Sequence, residues 1–287
     1  MGAAGMIAYF NGQYLEKDKI TVSPDDRGFL FSDGIYEVVR FYKGKPFRLD
    51  EHQKRLEQGA RALRFNRDSF PEFLEIAHQL QTKNNLLSTK SAIVYFQITR
   101  GAAPRSHSFP KKETPLTVYS FIREFPGNIE EQENGAHAIT VTDIRWAHCD
   151  IKSISLLANT LAHQAARDRG AIEALFIRDD AVQEGSHSNI CIYAEGKVKT
   201  PPISNFILEG ITRRAVLELC HTLRIPQSEE PIRREDLYKA EEVFIVGTTV
   251  EITPIVRIDD KDIGNKKPGS ITRRLQEVFR ELVNTSL

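Results

Sequence analysis

The 287-residue chain is poor in the features that mark several protein classes. It has three cysteines, Cys149, Cys191 and Cys220, set far apart. None forms a metal-type pair, and an odd count suits a reducing compartment better than a disulfide framework, so a cytoplasmic setting is expected. No run of about eighteen apolar residues occurs, so no membrane span is expected. Neither sign of charge dominates, with 39 basic and 39 acidic residues. That balance argues against a general electrostatic footprint for nucleic acid or an anionic membrane, and leaves room for a local cationic pocket. The histidines lack metal-ligand spacing, so no metal is expected. Internal repeats and low-complexity segments are missing too. The start, Met1 to Met6, has neither the basic region nor the apolar core of a secretory signal. The second methionine, Met6, suggests that the first five residues are an extension.

What is present is ordinary in bulk. The hydrophobic share is 40% and the charged share 27%, as in a globular protein of one large or two medium domains. Asn11-Gly12 between Ile7–Phe10 and Gln13–Leu15 reads as a hairpin turn. Residues 25–34 read as a loop. Strands are expected over Ile35–Tyr42, Ser91–Thr99 and Leu116–Ile122. Asp50 with Gln53, and Ser69 with Glu72, read as helix starts. Arg123 to Asn128 reads as a linker, giving domains 1–126 and 127–287. In the second, strands are expected at His137–Ile144, Ala174–Arg178, Asn189–Tyr193, Glu242–Val246 and Glu251–Ile258. Helices are expected at Leu156–Arg169, Thr212–Leu223 and from Ser270 onward. Strands and helices mix without strict βαβ alternation, which favours α+β.

The chain centres on Asp143-Ile144-Arg145-Trp146-Ala147-His148-Cys149-Asp150-Ile151-Lys152-Ser153. Its lysine lies between an expected strand and an expected helix. Most lysines are solvated surface groups, but a neutral amine attacks carbonyls to form a Schiff base. Elsewhere, Gly210-Ile211-Thr212 opens a helix, whose free N–H groups suit an anion. Arg105-Ser106-His107 sets two donor groups close together in a loop bounded by Gly101 and Pro110. His148 and Cys149 are sequence neighbours, which seldom form a nucleophilic pair. Trp146, Phe29 and Phe31 suit a core or an interface better than catalysis.

Taken together, Arg55, Lys152, Gln183-Glu184-Gly185-Ser186-His187-Ser188-Asn189 and Leu208-Glu209-Gly210-Ile211-Thr212-Arg213 resemble the fold-type IV aminotransferases, which use pyridoxal 5′-phosphate (PLP). The resemblance runs from Asp26 to about Pro254. Asp26-Arg27-Gly28, Asp33 to Val39, Tyr95 to Gly101 and the Asp143–Ser153 stretch are most like the D-amino acid transaminases. The fold so implied is a two-domain α+β subunit with the cofactor in the interdomain cleft. By the same resemblance, Lys152 holds the PLP aldehyde and shuttles a proton. Glu184 partners the pyridine nitrogen. Arg55, Ile211, Thr212 and Thr248 contact the phosphate, while Ser188 and Asn189 support the ring. Arg105 and His107 clamp the substrate carboxylate from across a homodimer interface. Tyr36 completes that trap, Arg145 sits between Tyr36 and the cofactor's phenolic oxygen, and Arg27 borders the entrance. His187 departs from the small hydroxyl residue common at its position.

The implied reaction moves the amino group of D-alanine to 2-oxoglutarate, giving pyruvate and D-glutamate by a ping-pong mechanism. An L-branched-chain transaminase or an aminodeoxychorismate lyase are alternatives on the same fold. A PLP-binding protein without turnover is a third reading, opposed by the presence of Lys152, Glu184 and Tyr36.

Overall fold

The computed structural model describes residues 5–285; the reading of the first residues as an extension falls largely outside this span. The chain divides into two compact units. One runs to Pro126 and also takes in Ile151–Ser155; the other holds Gly127–Asp150 and the chain from Leu156 onward.

In the first unit, β1 (Ile7–Phe10) and β2 (Gln13–Glu16) form the hairpin. Asn11 and Gly12 have φ of 47° and 90°, the mirror-image turn that matches strand twist. Next come α1 (Arg27–Phe31), β3 (Gly34–Tyr42), β4 (Lys45–Pro46), α2 (Leu49–Ala62), α3 (Phe73–Lys83), β5 (Ser91–Thr99) and β6 (Thr117–Glu124). The strands make an antiparallel sheet in the order β2-β1-β6-β5-β3-β4. One face buries Val39, Phe41, Val94, Phe96 and Ile98 against Leu56 and Ala60 of α2 and Phe73, Ile76 and Leu80 of α3. Removing this apolar area from water is the main force holding helices to sheet.

Three local expectations change here. Residues 25–34 are not all loop. Asp26 Oδ1 accepts from Gly28 N at 2.8 Å and caps the five-residue α1. Helix α2 starts before Asp50, because Arg48 turns the chain at φ 52° and Asp50 falls inside the first turn. There its charge still favours the helix N-terminus, while Gln53 bonds Glu57 at 3.2 Å. Helix α3 starts at Phe73, and the Ser69 hydroxyl donates to Glu57 Oε1 at 3.4 Å instead of capping.

The second unit contains, in chain order, α4 (Ile129–Asn134), β7 (Ala136–Thr142), α5 (Leu157–Asp168), β8 (Glu173–Arg178), β9 (Ala181–Gly185), β10 (Asn189–Ala194), β11 (Lys197–Thr200), α6 (Ile211–Thr222), β12 (Gln227–Glu229), α7 (Arg234–Lys239), β13 (Glu242–Gly247), β14 (Glu251–Ile258), β15 (Lys261–Asp262) and α8 (Ser270–Thr285). The sheet order is β12-β11-β10-β13-β14-β7-β8-β9, with β15 on β14. Strand β7 pairs parallel to both β8 and β14, and the other central pairs are antiparallel. The mixture is α+β, as expected. The parallel β7–β8 pair needs a crossover, and α5 supplies it, laying Ala162 and Ala166 on Ile139, Ala174 and Phe176. Gly170, at φ 68°, stops α5. Strand β7 stops at Thr142, two residues short of the expected Ile144, because Asp143 turns to grip Arg145.

Candidate active site

Lys152 belongs to the segment that joins the first unit. Tyr36 N donates to Lys152 O at 3.0 Å and Ile154 N donates to Gly34 O at 3.0 Å, and Ser153 bridges Ile35. The lysine is thus tied by its backbone to the start of β3. Gly34 permits this approach: a Cβ there would lie 2.7 Å from Ile154 Cδ1 and 2.8 Å from Ile98 O. Lys152 Nζ rests 4.3 Å from the centroid of the Tyr36 ring, a favourable cation–π distance. Among the described residues no carboxylate forms an ion pair with it.

On the opposite face of β3, Glu37 is fully buried. Arg55 Nε donates to Glu37 Oε1 at 2.7 Å and Arg55 Nη2 to Oε2 at 2.9 Å, a two-pronged pair. His52 Nδ1 adds a contact at 2.7 Å. Burial alone would raise the Glu37 carboxyl, but Arg55 and His52 outweigh it and hold it well below the usual carboxylate range. Burial lowers the His52 imidazole. Arg55, expected at the phosphate, is therefore held in one orientation by two residues the sequence reading passed over.

The Arg105–His107 loop begins at Gly101, whose φ of 86° and a Cβ that would fall 1.9 Å from Pro115 O demand glycine. Phe31 organises the loop. The Arg105 guanidinium lies 5.0 Å from its ring centroid, the His107 ring 5.5 Å from it, and the Arg27 guanidinium 4.7 Å from it. Arg105 and His107 are exposed. Arg27 is not, at 4% exposure. Arg27 Nε donates to Asp33 Oδ2 at 2.8 Å and its Nη1 to Ser106 O at 2.7 Å. Expected to border the entrance, Arg27 clasps the backbone of the loop between Arg105 and His107. Asp33 also takes Arg100 Nε at 2.8 Å, so one carboxylate anchors two arginines.

In the second unit Arg145 and Glu184 form the centre. Arg145 Nε and Nη2 both donate to Asp143, at 3.0 Å each, and Nη2 also reaches Phe206 O at 3.0 Å. Nη1 donates to Glu184 Oε1 at 2.5 Å. Glu184 Oε2 accepts from Asn189 Nδ2 at 3.1 Å and from Leu208 N at 3.0 Å. The carboxylate is thus buried, fixed and charge-compensated at the end of β9. Asn189 also donates to Leu208 O at 2.9 Å. Next to it Gly210 opens α6 without a side-chain cap, so the first-turn N–H groups of Ile211 and Thr212 meet no side-chain acceptor from Gly210. A Cβ on Gly210 would lie 2.0 Å from Asn189 Oδ1. Thr248 lies in the turn after β13, and a Cβ on its neighbour Gly247 would sit 3.7 Å from Ser188 Cα. Glu184, Ser188, Asn189, Ile211, Thr212 and Thr248 therefore share one end of this sheet.

Ser188 Oγ donates to Glu173 Oε2 at 2.6 Å, and Ser186 Oγ donates to Glu173 Oε1 at 2.5 Å. Glu173 is fully buried. Burial would raise its carboxyl, but His187 and these hydroxyls lower it to about 2. The expectation that no histidines are placed for a metal rested on sequence spacing; the fold brings His163, Glu173 and His187 together.

The Cys149 thiol donates to Trp146 O at 3.1 Å, and burial pushes it up to about 11. His148 faces Asp150 at 3.6 Å. They form no nucleophilic pair. Glu37, His52, Asp143 and Asp33, which hold the arginines of the site in place, were missed. A buried carboxylate beside an arginine has no short-range sequence signature, though Asp143 two residues before Arg145 offered one.

The class IV aminotransferase family model matches residues 34–258. A D-alanine aminotransferase of Staphylococcus haemolyticus is 38% identical over 278 residues, covering 96% of this chain and 98% of that protein. The Escherichia coli branched-chain amino acid aminotransferase superposes with a TM-score of 0.89 at 27% identity, covering 97% of this chain and 95% of that one. A branched-chain amino acid aminotransferase of T.th., solved with pyridoxamine 5′-phosphate, gives a TM-score of 0.87 at 28% identity, covering 97% and 94%. With a family model over most of its length and relatives matched nearly end to end, this chain belongs to the class IV aminotransferases.

Proposed function

We propose that this enzyme is a PLP-dependent transaminase that moves the amino group of D-amino acids, D-alanine first among them, to 2-oxoglutarate, giving pyruvate and D-glutamate by a ping-pong mechanism. The observation that carries the substrate class is the Arg105–His107 loop. Two exposed donors lie beside one ring, Phe31, and Arg27 braces the backbone between them. Such a pair of donors on one braced loop suits the α-carboxylate of an amino acid.

The donor set fits PLP. Lys152 offers an amine without a carboxylate partner among the described residues. Glu184 offers a fixed anion. The start of α6 offers N–H groups of Ile211 and Thr212 to a phosphate, joined in this reading by Arg55 and Thr248. PLP supplies an electron sink for charge developing at the substrate α-carbon. Glu184 keeps a proton at the ring nitrogen, and Arg145 and Asn189 keep Glu184 in place. Ser188 and Asn189 support the ring side. Lys152 Nζ takes the α-proton and returns it. Tyr36, under Lys152 Nζ, lines the substrate carboxylate site.

The working unit in this reading is a homodimer, with Arg105 and His107 acting across the interface. Phe29 and Phe109, 76% and 51% exposed, flank the relevant segments and give apolar area for a second copy to cover. Among the described residues no helix is long and apolar enough to cross a membrane.

The test mixes the purified holoenzyme separately with D-alanine and L-leucine. Loss of the cofactor's visible band with D-alanine alone, with pyruvate formed, is the expected outcome. Loss with L-leucine instead would transfer the enzyme to the branched-chain group and remove the substrate role from Arg105 and His107. Lys152→Ala is expected to abolish turnover with either; wild-type turnover in that variant sinks the assignment altogether.

A further inference from the structure

We propose that His163, Glu173 and His187 form a binding site for a divalent transition-metal ion, of the zinc, cobalt or nickel class, separate from the residues assigned to the reaction. Three different elements supply the ligands: α5 gives His163, β8 gives Glu173, and the turn between β9 and β10 gives His187. Their ligand atoms all lie within 4.8 Å of one another. His187 Nδ1 is 3.1 Å from Glu173 Oε2. The two imidazole rings stand at 90° with centroids 5.0 Å apart. Both Nδ1 atoms face the Ser186 hydroxyl, at 3.4 Å for His163 and 3.3 Å for His187.

The spacing is close to what an ion requires. Metal–ligand bonds of about 2.0–2.1 Å place neighbouring ligand atoms of a tetrahedral site roughly 3.4 Å apart. The closure needed falls to His187, whose side chain is 39% exposed and lies outside the core. Glu173 is the fixed point. Its Oε1 is held by Ala174 N at 2.9 Å, Ser186 N at 2.8 Å and Ser186 Oγ at 2.5 Å. Its Oε2 meets Ser188 Oγ and His187 Nδ1. An ion taken between Oε2 and the two imidazoles replaces the His187 contact and leaves the Ser188 bond in place.

Charge points the same way. Glu173 is fully buried, and among the described residues neither lysine nor arginine pairs with it. A buried carboxylate is costly unless compensated. His187 compensates it only when protonated; a divalent ion does so with both imidazoles neutral. Two imidazoles and one carboxylate match the ligand preference of borderline divalent ions, and the exposed side of His187 leaves a fourth position to water. Asn159 Nδ2 donates to Ser186 O at 2.8 Å and holds the turn in position behind the ligands, as outer groups do around metal sites.

The competing account is a hydrogen-bonded histidine–glutamate pair with a second histidine packed on it. Chelator-treated holoenzyme titrated with zinc by calorimetry separates the two, with cobalt absorption as a second readout. One ion per chain in the micromolar range or tighter is expected. His163→Gln and His187→Gln should each weaken binding by about tenfold or more, with the circular dichroism of both unchanged. His221→Gln, an exposed histidine on α6, should bind as wild type. Zinc binding no tighter than about 1 mM in the unaltered protein, or wild-type affinity in either of the first two variants, overturns the site. The second result would assign any bound zinc to another part of the holoenzyme.

Discussion

Arg145 Nη1 and Glu184 Oε1 are joined at 2.5 Å, and Asp143 grips the same guanidinium from its other edge. The arginine lies between two carboxylates, both largely buried. Arg145 supplies the opposite charge that a buried carboxylate such as Glu184 needs. An anion held this way can keep a neighbouring cationic ring nitrogen charged, which a neutral amide cannot do.

Glu184→Gln should therefore lower kcat by about 10²-fold or more, the range found when a proton-controlling group is lost. Cofactor content should fall much less, because the N–H donors at α6 are untouched. Single-turnover kinetics on cofactor-saturated protein measure the step. A variant with near wild-type kcat removes Glu184 from the reaction.

Arg105→Ala and His107→Ala should each raise KM for D-alanine by about 10- to 100-fold, the size of a charge-assisted hydrogen bond to a carboxylate. Phe31→Ala should act in the same direction with a smaller effect. It leaves both donors but removes the ring on which they rest. Steady-state kinetics give the values. Unchanged KM in all three variants would transfer carboxylate recognition to other residues.

The parts of this site that were legible in the sequence are those with a local signature. Lys152 lies in a distinctive run, Glu184 precedes glycine at a strand end, and Gly210 opens a helix. Periodicity located α2, α5 and α6 to within a few residues, because an amphipathic face repeats over several turns. What stayed hidden depends on the third dimension. Glu37 reads as one more residue of a strand, and only the packing of α2 on β3 brings His52 and Arg55 to it. The charge of Arg27 was visible, while its partners, Asp33 and a backbone carbonyl of Ser106, were not. His163 and His187 are 24 positions apart, and a helix and a turn carry them to the same carboxylate. Helix starts at Asp50 and Ser69 were misplaced for a simpler reason. A left-handed residue, Arg48, starts α2 without a side-chain cap.

Gly210→Ala should weaken cofactor binding by about tenfold or more. The added Cβ would lie 2.0 Å from Asn189 Oδ1, and a clash of that depth forces Asn189 or the start of α6 to move. Either shift disturbs the bond from Asn189 to Glu184 and the N–H groups of Ile211 and Thr212. Equilibrium titration of apoenzyme with PLP gives the affinity. The wild-type value in this variant removes the α6 terminus from the phosphate site.

Acid should destabilise the fold through Glu173. Its folded-state pKa, about 2, lies below the ordinary 4.5, so above about pH 4.5 the ionised carboxylate contributes its full stabilisation. As pH falls from 4.5 toward 2 the unfolded chain takes up the proton first, and that contribution is lost. The total is on the order of 3 kcal/mol. Glu173→Gln has no such titration. Its stability deficit relative to wild type should be large at pH 7 and shrink as pH falls through this window. Glu37, also held below its usual range, is common to both proteins and cancels from the difference. Urea midpoints of the two proteins at pH 7 and at pH 3 measure the change. A deficit that stays constant between those pH values would show that folding leaves the Glu173 pKa where it is in the unfolded chain, and one that grows toward pH 3 would show that folding raises it.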